Sequence, residues 1–206
     1  MDGSNGSTTF IDNSPVTPHA VTANGNAQIS TAQAKFCQSA LFNWPAFLRM
    51  DANLDFVFTG DFTMDVWINT TYTGLQKIWG TSNEAVWTVD GWNFGYSNGN
   101  FVFDYFGANA NTSAVGTLHD GSWHHLALVR SGSTMFVFAD GILKSSFTYS
   151  GTLGNATFRT VVGTYEPSGD PSGGHWVGYL DEFRISKGIA RWTSGFTPPA
   201  NPYCNQ

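Results

Sequence analysis

The sequence predicts a single all-β domain, built as an antiparallel sandwich or barrel. Turn signals recur about every ten residues, and the runs between them favour strands. Residues that favour helices are scarce: only three of the 206 residues are glutamate, whereas aromatic residues make up 16% of the chain. No sustained segment has the period of an amphipathic helix. We therefore expect one domain over residues 1–206, with residues 186–206 as a C-terminal strap.

The clearest strand signal lies at residues 61–71, which read DFTMDVWINTT. Apolar and mixed positions alternate there with a period of two, which predicts a strand with one face in a core. The residues expected on the core face are Phe62, Met64, Val66 and Ile68, and those on the other face are Thr63, Asp65, Trp67 and Asn69.

Further strands are predicted along the rest of the chain. Residues 100–107 alternate, and residues 122–146 read as three strands separated by a Ser-Gly-Ser turn and by Asp140-Gly141. Asp-Gly between apolar runs is a strong hairpin signal. Two later strands, at 156–165 and 178–185, flank the Gly- and Pro-rich segment 166–176, which we expect to be a loop.

Charge and hydropathy exclude several classes of protein. The net charge is −6 and no Lys/Arg cluster stands out, so a nucleic-acid partner is not expected. No apolar run approaches the ~18 residues of a membrane span, so membrane insertion is not expected either. The opening residues DGSNGSTTF carry no signal-peptide pattern. We therefore expect a cytoplasmic product or a virion component released by lysis.

Three stretches resemble the laminin G / concanavalin A-like lectin-glucanase superfamily, and the resemblance runs nearly end to end. They are GDFTMDVWI, DGSWHHLALVRSGSTMFVFADGILK and GYLDEFRISKGIARWTSGFTPP. The last is similar to the version found in bacteriophage tail, fibre and capsid-associated proteins and in bacterial surface proteins. The resemblance implies a two-sheet antiparallel β-sandwich with jelly-roll topology, a fold that serves lectins, protein-binding modules and glucan hydrolases alike. The fold therefore does not settle the function.

One stretch departs from the phage-type pattern. Relatives of that type usually carry a Gly-rich FGGSSLFDG segment, whereas residues 36–50 here read FCQSALFNWPAFLRM. Cys37 occupies the glycine position, and Trp44-Pro45 replaces the expected turn. We expect an unusual surface or packing feature there.

The acidic pair Asp181-Glu182 does not predict an enzyme. Enzymes of the superfamily carry a Glu-x-Asp-x-x-Glu strand motif, which places two carboxyl groups on one face, and this chain has no such motif. Adjacent strand residues point to opposite faces. We expect Asp181 to share the core face with Phe183 and Ile185, and Glu182 to share the other face with Arg184. No catalytic residues are predicted.

Sugar binding is the activity that the aromatic residues favour. Aromatic rings stack on the C–H faces of sugars, and neighbouring polar groups bond the hydroxyls. Most aromatic residues of a sandwich are core residues, so residues in rim loops are the better candidates. The stretch at residues 87–106 is one candidate region, and the loop before Val177 is the other. The predicted sugar-binding residues are Trp92, Tyr165, Glu166, Asp170, His175 and Trp176.

Calcium is implied by the resemblance, because many relatives hold a structural Ca²⁺ near the rim of the sandwich. Ca²⁺ takes six to eight oxygen ligands. The predicted ligands are Asp2, Asp12, Asn13 and Asp181, since the N- and C-terminal strands often pair in this fold. The alternative is that these side chains cap turns and accept hydrogen bonds from backbone N–H groups.

The two cysteines, Cys37 and Cys204, leave two interpretations open. They are either free thiols or one disulfide that ties the C-terminal tail to an early strand, the latter if the protein matures outside a reducing cytosol.

The expected function is that of a non-enzymatic, virion-associated phage protein, either a head decoration protein or a tail or fibre component. Its expected partners are other virion subunits, glycans or both, and a homo-oligomer is an open alternative. The runner-up is a carbohydrate-binding module on the bacterial cell surface, and a glycoside hydrolase is third.

Overall fold

The computed structural model describes residues 3–82, 91–105, 111–164 and 174–203, and shows two seven-stranded antiparallel sheets packed face to face. This sandwich confirms the predicted fold class. A 3-10 turn at Leu54–Phe56 is the one helical element of the described residues. No helix in that part of the chain has the length and apolarity needed to cross a membrane.

Each sheet is built from strands that lie far apart in the sequence. Sheet I contains, in spatial order, β1 (Thr22–Asn24), β4 (Phe47–Met50), β13 (Arg159–Val162), β6 (Gln76–Ser82), β7 (Trp92–Ser97), β8 (Asn100–Tyr105) and β9 (Asn111–Ala114). Sheet II contains β12 (Ile142–Thr148), β11 (Thr134–Ala139), β10 (His124–Ser131), β5 (Phe62–Asn69), β14 (Gly178–Lys187), β3 (Ser39–Phe42) and β2 (Gln28–Ser30).

The core between the sheets is rich in aromatic rings. The predicted core face of β5 is confirmed, because Phe62, Met64, Val66 and Ile68 are all fully buried in it. Trp79 and Trp92 of sheet I lie opposite, with ring centroids 4.3 Å apart. Large rings bury much apolar area, and such area provides most of the favourable free energy of folding.

The other face of β5 is also buried, because the C-terminal strap, residues 188–203, lies across the outer face of sheet II. The rings of Trp192 and Phe196 stack at 3.8 Å, and Phe196 contacts Phe138 of β11 at 5.2 Å. The hydroxyl of Thr63 donates to the Ile189 carbonyl at 2.8 Å. The strap therefore covers part of the outer face of β5, and Lys35 and Phe36 cover Trp67 farther along it.

The predicted hairpin at Asp140-Gly141 is present, and the strap uses it. Both residues have positive φ, 51° and 74°, as a two-residue turn of type I′ requires. A Cβ on Gly141 would lie 1.9 Å from the carbonyl oxygen of Phe196. The amide of Phe196 donates to the Gly141 carbonyl at 2.9 Å. Glycine is therefore needed here for the turn and for the close approach of the strap.

A β-bulge interrupts β14 in the middle of the acidic pair. Asp181 lies opposite Trp67 of β5, and Arg184 lies opposite Asp65, so two residues of β14 stand where β5 has one. Glu182, inside the bulge, has a φ of 50°.

The bulge overturns the predicted alternation around Asp181. Phe183 and Ile185 pack against the core, as expected. Asp181, however, is on the outer face of sheet II with Arg184, because the extra residue shifts the alternation by one position. The prediction that Asp181 shares a face with Phe183 is therefore wrong.

The segment that departs from the phage-type pattern does have unusual geometry. Cys37 has a φ of 42°, in the left-handed region that favours the glycine of the relatives. The Trp44-Pro45 peptide bond is cis, and the Trp44 side chain is 52% exposed. Trp44 is thus a surface feature, as the sequence led us to expect.

Candidate functional site

A cleft opens at one end of the sandwich, between the two sheets. Its volume is about 410 Å³, within the ~300–1,000 Å³ range of small-molecule sites. Its lining residues, among those that the structure describes, are Gly91, Trp92, Tyr105, Tyr149, Thr152, Leu153 and Gly154. Sheet I contributes the first three and the segment that follows β12 contributes the others, so the cleft exists only because the two sheets pack together.

One wall of the cleft is aromatic and joins the two sheets. Tyr105 is the last residue of β8 and Tyr149 directly follows β12; their ring centroids are 4.7 Å apart in an edge-to-face contact. The ring of Phe103 supports both, at 5.8 Å from Tyr105 and 6.0 Å from Tyr149. Both tyrosines are partly exposed, so they present ring surface to a ligand.

The floor of the cleft is buried and rigidly held. Trp92 and Leu153 are each 1% exposed. Leu153 exchanges two backbone hydrogen bonds with Phe58, of 2.8 and 3.0 Å. Gly154 follows with a φ of 88°, and a Cβ there would lie 2.3 Å from the carbonyl oxygen of Phe56. Glycine is therefore required for the chain to close the bottom of the cleft.

The polar groups of the cleft suit hydroxyl-bearing ligands. The Tyr149 hydroxyl donates to the Thr152 carbonyl at 3.1 Å. Burial raises the pKa of Tyr149, and the neighbouring Tyr105 raises it further, so the hydroxyl stays neutral at physiological pH. The indole N–H of Trp92 is buried and has no hydrogen-bond partner among the described residues. No charged side chain is among the described lining residues.

A buried arginine supports the aromatic wall from behind. The guanidinium of Arg130, at the end of β10, lies 5.8 Å from the Tyr149 ring, and its Nη1 donates to the Gly151 carbonyl at 2.8 Å. Its Nε donates to the Gly132 carbonyl at 2.9 Å. These contacts fix the Tyr149 segment against sheet II.

The comparisons with known proteins agree with this architecture. The family model for laminin G-type domains of the concanavalin A-like lectin/glucanases superfamily matches residues 48–191, more than half of the chain. The chain belongs to the concanavalin A-like lectin/glucanase superfamily. No curated protein matches the sequence of this lectin/glucanase-superfamily domain.

Solved structures show the same fold at low sequence identity. Domain 4 of AbnA, an extracellular arabinanase of Geobacillus stearothermophilus in complex with arabinotriose, is 17% identical with a TM-score of 0.61, over 82% of both chains. Botulinum neurotoxin type C, which interacts with two ganglioside molecules to enter cells, is 13% identical with a TM-score of 0.61. That match covers 88% of this superfamily domain but 46% of the toxin chain.

A third match is a pentraxin. The heptameric SAP-like pentraxin of Limulus polyphemus is 15% identical with a TM-score of 0.55, over 76% of this chain and 75% of the pentraxin. At these identities the likeness shows the fold alone.

The three predicted sugar-binding residues that the structure describes do not meet at one place. Trp92 lines the floor of the cleft, but its ring is a core ring with almost no exposed surface. His175 and Trp176 lie at the opposite end of the sandwich and are 4% and 0% exposed. Both are packing residues rather than stacking platforms, because a buried ring has no face to offer. Tyr165, Glu166 and Asp170 lie outside the described residues.

Sequence reasoning missed the four cleft residues that the segment after β12 contributes. Tyr149 and Thr152 belong to no motif, and only their position in a turn-rich segment after a predicted strand marks them as rim residues. Tyr105 lies within the candidate region at residues 87–106, but nothing in the local sequence predicts its contact with Tyr149.

The predicted calcium ligands that the structure describes, Asp12, Asn13 and Asp181, have separate surroundings. Asp12 bonds the backbone N–H groups of Ser14 and His19, at 2.9 and 2.8 Å, and also the His19 ring. Asn13 is exposed, and Asp2 lies outside the described residues. In the described part of the chain no three His, Cys, Asp or Glu side chains form a group that could hold a metal. Because the predicted set includes Asp2, the calcium site stays a prediction.

Asp181 instead binds backbone amides. Its Oδ2 accepts hydrogen bonds from the N–H groups of Lys35 and Phe36, at 3.1 and 3.0 Å, and its Oδ1 accepts one from Glu182 at 2.9 Å. This is the alternative that the sequence left open. Burial raises the pKa of Asp181 to about 6, against the opposing effect of the Phe36 N–H.

This shifted pKa predicts a pH-dependent stability. The folded-state pKa of about 6 lies above the unfolded value of 3.8, so the folded state takes up a proton more readily. The resulting stabilisation is complete below the unfolded pKa and is lost as the pH rises through about 6. We expect the stability of the wild type relative to Asp181→Asn, which does not titrate, to be about 2 kcal/mol greater near pH 4.5 than near pH 7. Urea unfolding of both proteins at the two pH values measures this stability difference. A difference between wild type and Asp181→Asn that does not change with pH would contradict the prediction.

The predicted disulfide stays a prediction. Cys37 is exposed and is a free cysteine among the described residues, whereas Cys204 lies outside them.

Proposed function

We propose that the protein is a non-catalytic glycan-binding module that binds a saccharide in the cleft walled by Tyr105 and Tyr149. The aromatic wall is the observation that carries this proposal. Two partly exposed rings, with the exposed Thr152 in the same cleft, combine stacking surface with hydrogen-bonding groups. The volume of about 410 Å³ lies within the range of small-molecule sites.

The chemistry of the cleft favours binding over hydrolysis. Glycoside hydrolysis generally uses two carboxyl groups that flank the scissile bond, about 5–10 Å apart. The described lining contains no carboxyl group. The acidic pair Asp181-Glu182 belongs to sheet II. There the Asp181 carboxylate accepts hydrogen bonds from backbone amides.

We further propose a virion setting for this module, as a head decoration protein or a tail or fibre component that contacts other virion subunits. The similarity of the strap motif to phage-type proteins supports it. A bacterial cell-surface module is the alternative setting. The arabinotriose and ganglioside partners of two proteins with this fold support glycan binding in either setting. Mass spectrometry of purified phage particles tests the virion setting, and absence of the chain from them would refute it.

Replacement of Tyr149 by alanine tests the glycan site. We expect Tyr149→Ala to weaken glycan binding at least about tenfold, since it removes one stacking face and a buried aromatic contact. Tyr105→Ala is expected to act in the same way. The measurement is a glycan array with the wild-type protein, followed by calorimetric titration of the array hits with both variants.

The matched control is Tyr72→Ala. Tyr72 is 48% exposed and follows β5 at the opposite end of the sandwich, so its loss is expected to leave binding unchanged. Circular dichroism establishes that each variant is folded. The proposal fails if no glycan binds, or if folded Tyr149→Ala and Tyr105→Ala bind as well as the wild type.

A further inference from the structure

A histidine lies between two carboxylates at the start of β10. The Nδ1 atom of His124 is 2.8 Å from Oδ2 of Asp140, and its Nε2 atom is 3.1 Å from Oδ1 of Asp120. Asp140 belongs to the hairpin between β11 and β12, and Asp120 belongs to the loop that precedes β10. The ring of His124 therefore joins this loop to the hairpin.

Only the protonated imidazole satisfies both contacts. Ionised carboxylates accept hydrogen bonds and donate none, so each ring nitrogen of His124 has to carry a proton. The backbone N–H of Ser122, and after it His124, hold the pKa of Asp120 below its ordinary value. Burial alone would raise the pKa of Asp140, but hydrogen bonds from His124 and from the His125 N–H hold it below its ordinary value. A neutral ring would place a nitrogen lone pair against one of the two carboxylates.

These two carboxylates are the charged groups that face the His124 ring in the described part of the chain. The neighbouring histidine rings point elsewhere. The ring of His125 contacts the carboxylate of Asp65, on the outer face of sheet II, at 3.3 Å, and the ring of His119 contacts the tyrosine hydroxyl of β7 at 2.7 Å. Because the His124 side chain is 16% exposed, water screens its two contacts only in part.

The loop that His124 holds connects the two sheets. The Gly121 N–H donates to the Thr70 carbonyl at 3.1 Å, and the Asn69 side-chain amide donates to the Gly121 carbonyl at 2.6 Å, both at the end of β5 in sheet II. Nearer the start of the loop, the Leu118 N–H donates at 3.0 Å to the hydroxyl of Tyr96, in β7 of sheet I. A change in how this loop is held therefore affects a connection between the sheets.

We propose that His124 is a proton-operated latch on this loop. Its imidazolium links the loop to the β11–β12 hairpin through Asp120 and Asp140, and loss of the proton releases the loop from the hairpin. The hydrogen bond to Asp140 raises the pKa of His124 above its ordinary value of 6.5, against the opposing effect of burial. The latch is therefore fully closed below pH 6.5 and opens as the pH rises through the higher folded-state pKa.

Hydrogen exchange of the Gly121 amide tests the latch. Rates measured near pH 6.5 and near pH 8.5 are divided by the intrinsic rates of an unfolded chain, which removes the ordinary pH dependence of exchange. We expect the protection of Gly121 to fall at least about fivefold over this range, because the loop loses one hydrogen bond to a charged group. The matched control is His124→Gln, which does not titrate, and in which we expect a change below about twofold. Asp181 titrates in both proteins, so its effect cancels from the comparison.

An NMR titration of the His124 ring provides a second measurement, which needs no variant to fold. We expect the pKa of His124 in the wild type to lie above 6.5, and to be lower in Asp120→Asn, which keeps the size of the side chain and removes its charge. A pKa of His124 at or below 6.5 would overturn the proposal. So would an equal fall in Gly121 protection in the wild type and in His124→Gln.

Discussion

Replacing Asp65 with alanine is expected to lower the free energy of unfolding by about 3–5 kcal/mol, because it removes a fully buried carboxylate and leaves the partly buried Arg184 without its counter-charge. Asp65 is fully buried beneath the strap, and the Arg184 guanidinium holds it with two hydrogen bonds of 3.0 Å. Burial alone would raise the pKa of Asp65, but the hydrogen bond from His125 and the charge of Arg184 hold it below its ordinary value. The measurement is urea unfolding at neutral pH.

The same carboxylate holds the end of the strap. The hydroxyl of Tyr203 donates to Asp65, the Tyr203 amide donates to Glu182, and the Arg184 guanidinium lies 3.7 Å from the Tyr203 ring. We therefore expect Asp65→Ala also to speed hydrogen exchange in the strap and proteolysis after Arg191. If hydrogen exchange in the strap of Asp65→Ala were as slow as in the wild type, the stacked aromatic rings would be sufficient to hold the strap without Asp65.

A double-mutant cycle separates the lost ion pair from the lost side-chain volume. Arg184→Met keeps the length of the side chain and removes its charge. We expect the double variant with Asp65→Ala to be less destabilised than the sum of the single variants, by roughly 1–3 kcal/mol, since no unpaired charge remains. Strict additivity would contradict a coupled pair.

Replacing Trp176 with alanine is expected to cost about 3–5 kcal/mol of stability and to leave the affinity for glycans unchanged. Its side chain is fully buried, and its backbone amide donates to the Gly163 carbonyl at 2.7 Å. The indole therefore fills core volume at the end of the sandwich opposite the cleft. Thermal unfolding gives the stability, and titration with the best array hit, below the melting temperature, gives the affinity.

Trp44→Ala is the matched control for Trp176→Ala. It removes the same side chain at the same end of the sandwich, but Trp44 is 52% exposed. We expect a cost below about 1 kcal/mol, as is usual for exposed positions. If Trp176→Ala weakened glycan binding in the folded protein, the sugar-binding role predicted for Trp176 from sequence would be restored and the cleft assignment would be in doubt.

The parts of the fold that could be predicted follow from local sequence patterns. The alternation of β5 and the Asp140-Gly141 hairpin are properties of neighbouring residues, because the side-chain period and the turn geometry are set within a few bonds. The strap was expected at residues 186–206, but nothing in the composition of that segment implies the burial of Asp65.

The acidic pair shows where local reasoning failed. Strict alternation predicts that Asp181 lies on the core face, but one extra residue in β14 reverses that assignment. The segment has no turn residue from which this bulge could be predicted. A bulge is fixed by the register between β14 and β5, which joins positions more than a hundred residues apart in the chain.

The amino-acid pattern was sufficient for the sandwich, for the family and for the face of β5 that meets the core, since each follows from short-range periodicity or from a contiguous motif. The cleft could not be predicted from such local patterns. Trp92, Tyr105 and Tyr149 become neighbours only when two sheets of seven strands pack with one particular alignment. That alignment depends on the packing of the whole core, so the pairing of the two tyrosine rings is a property of the folded molecule and of no segment within it.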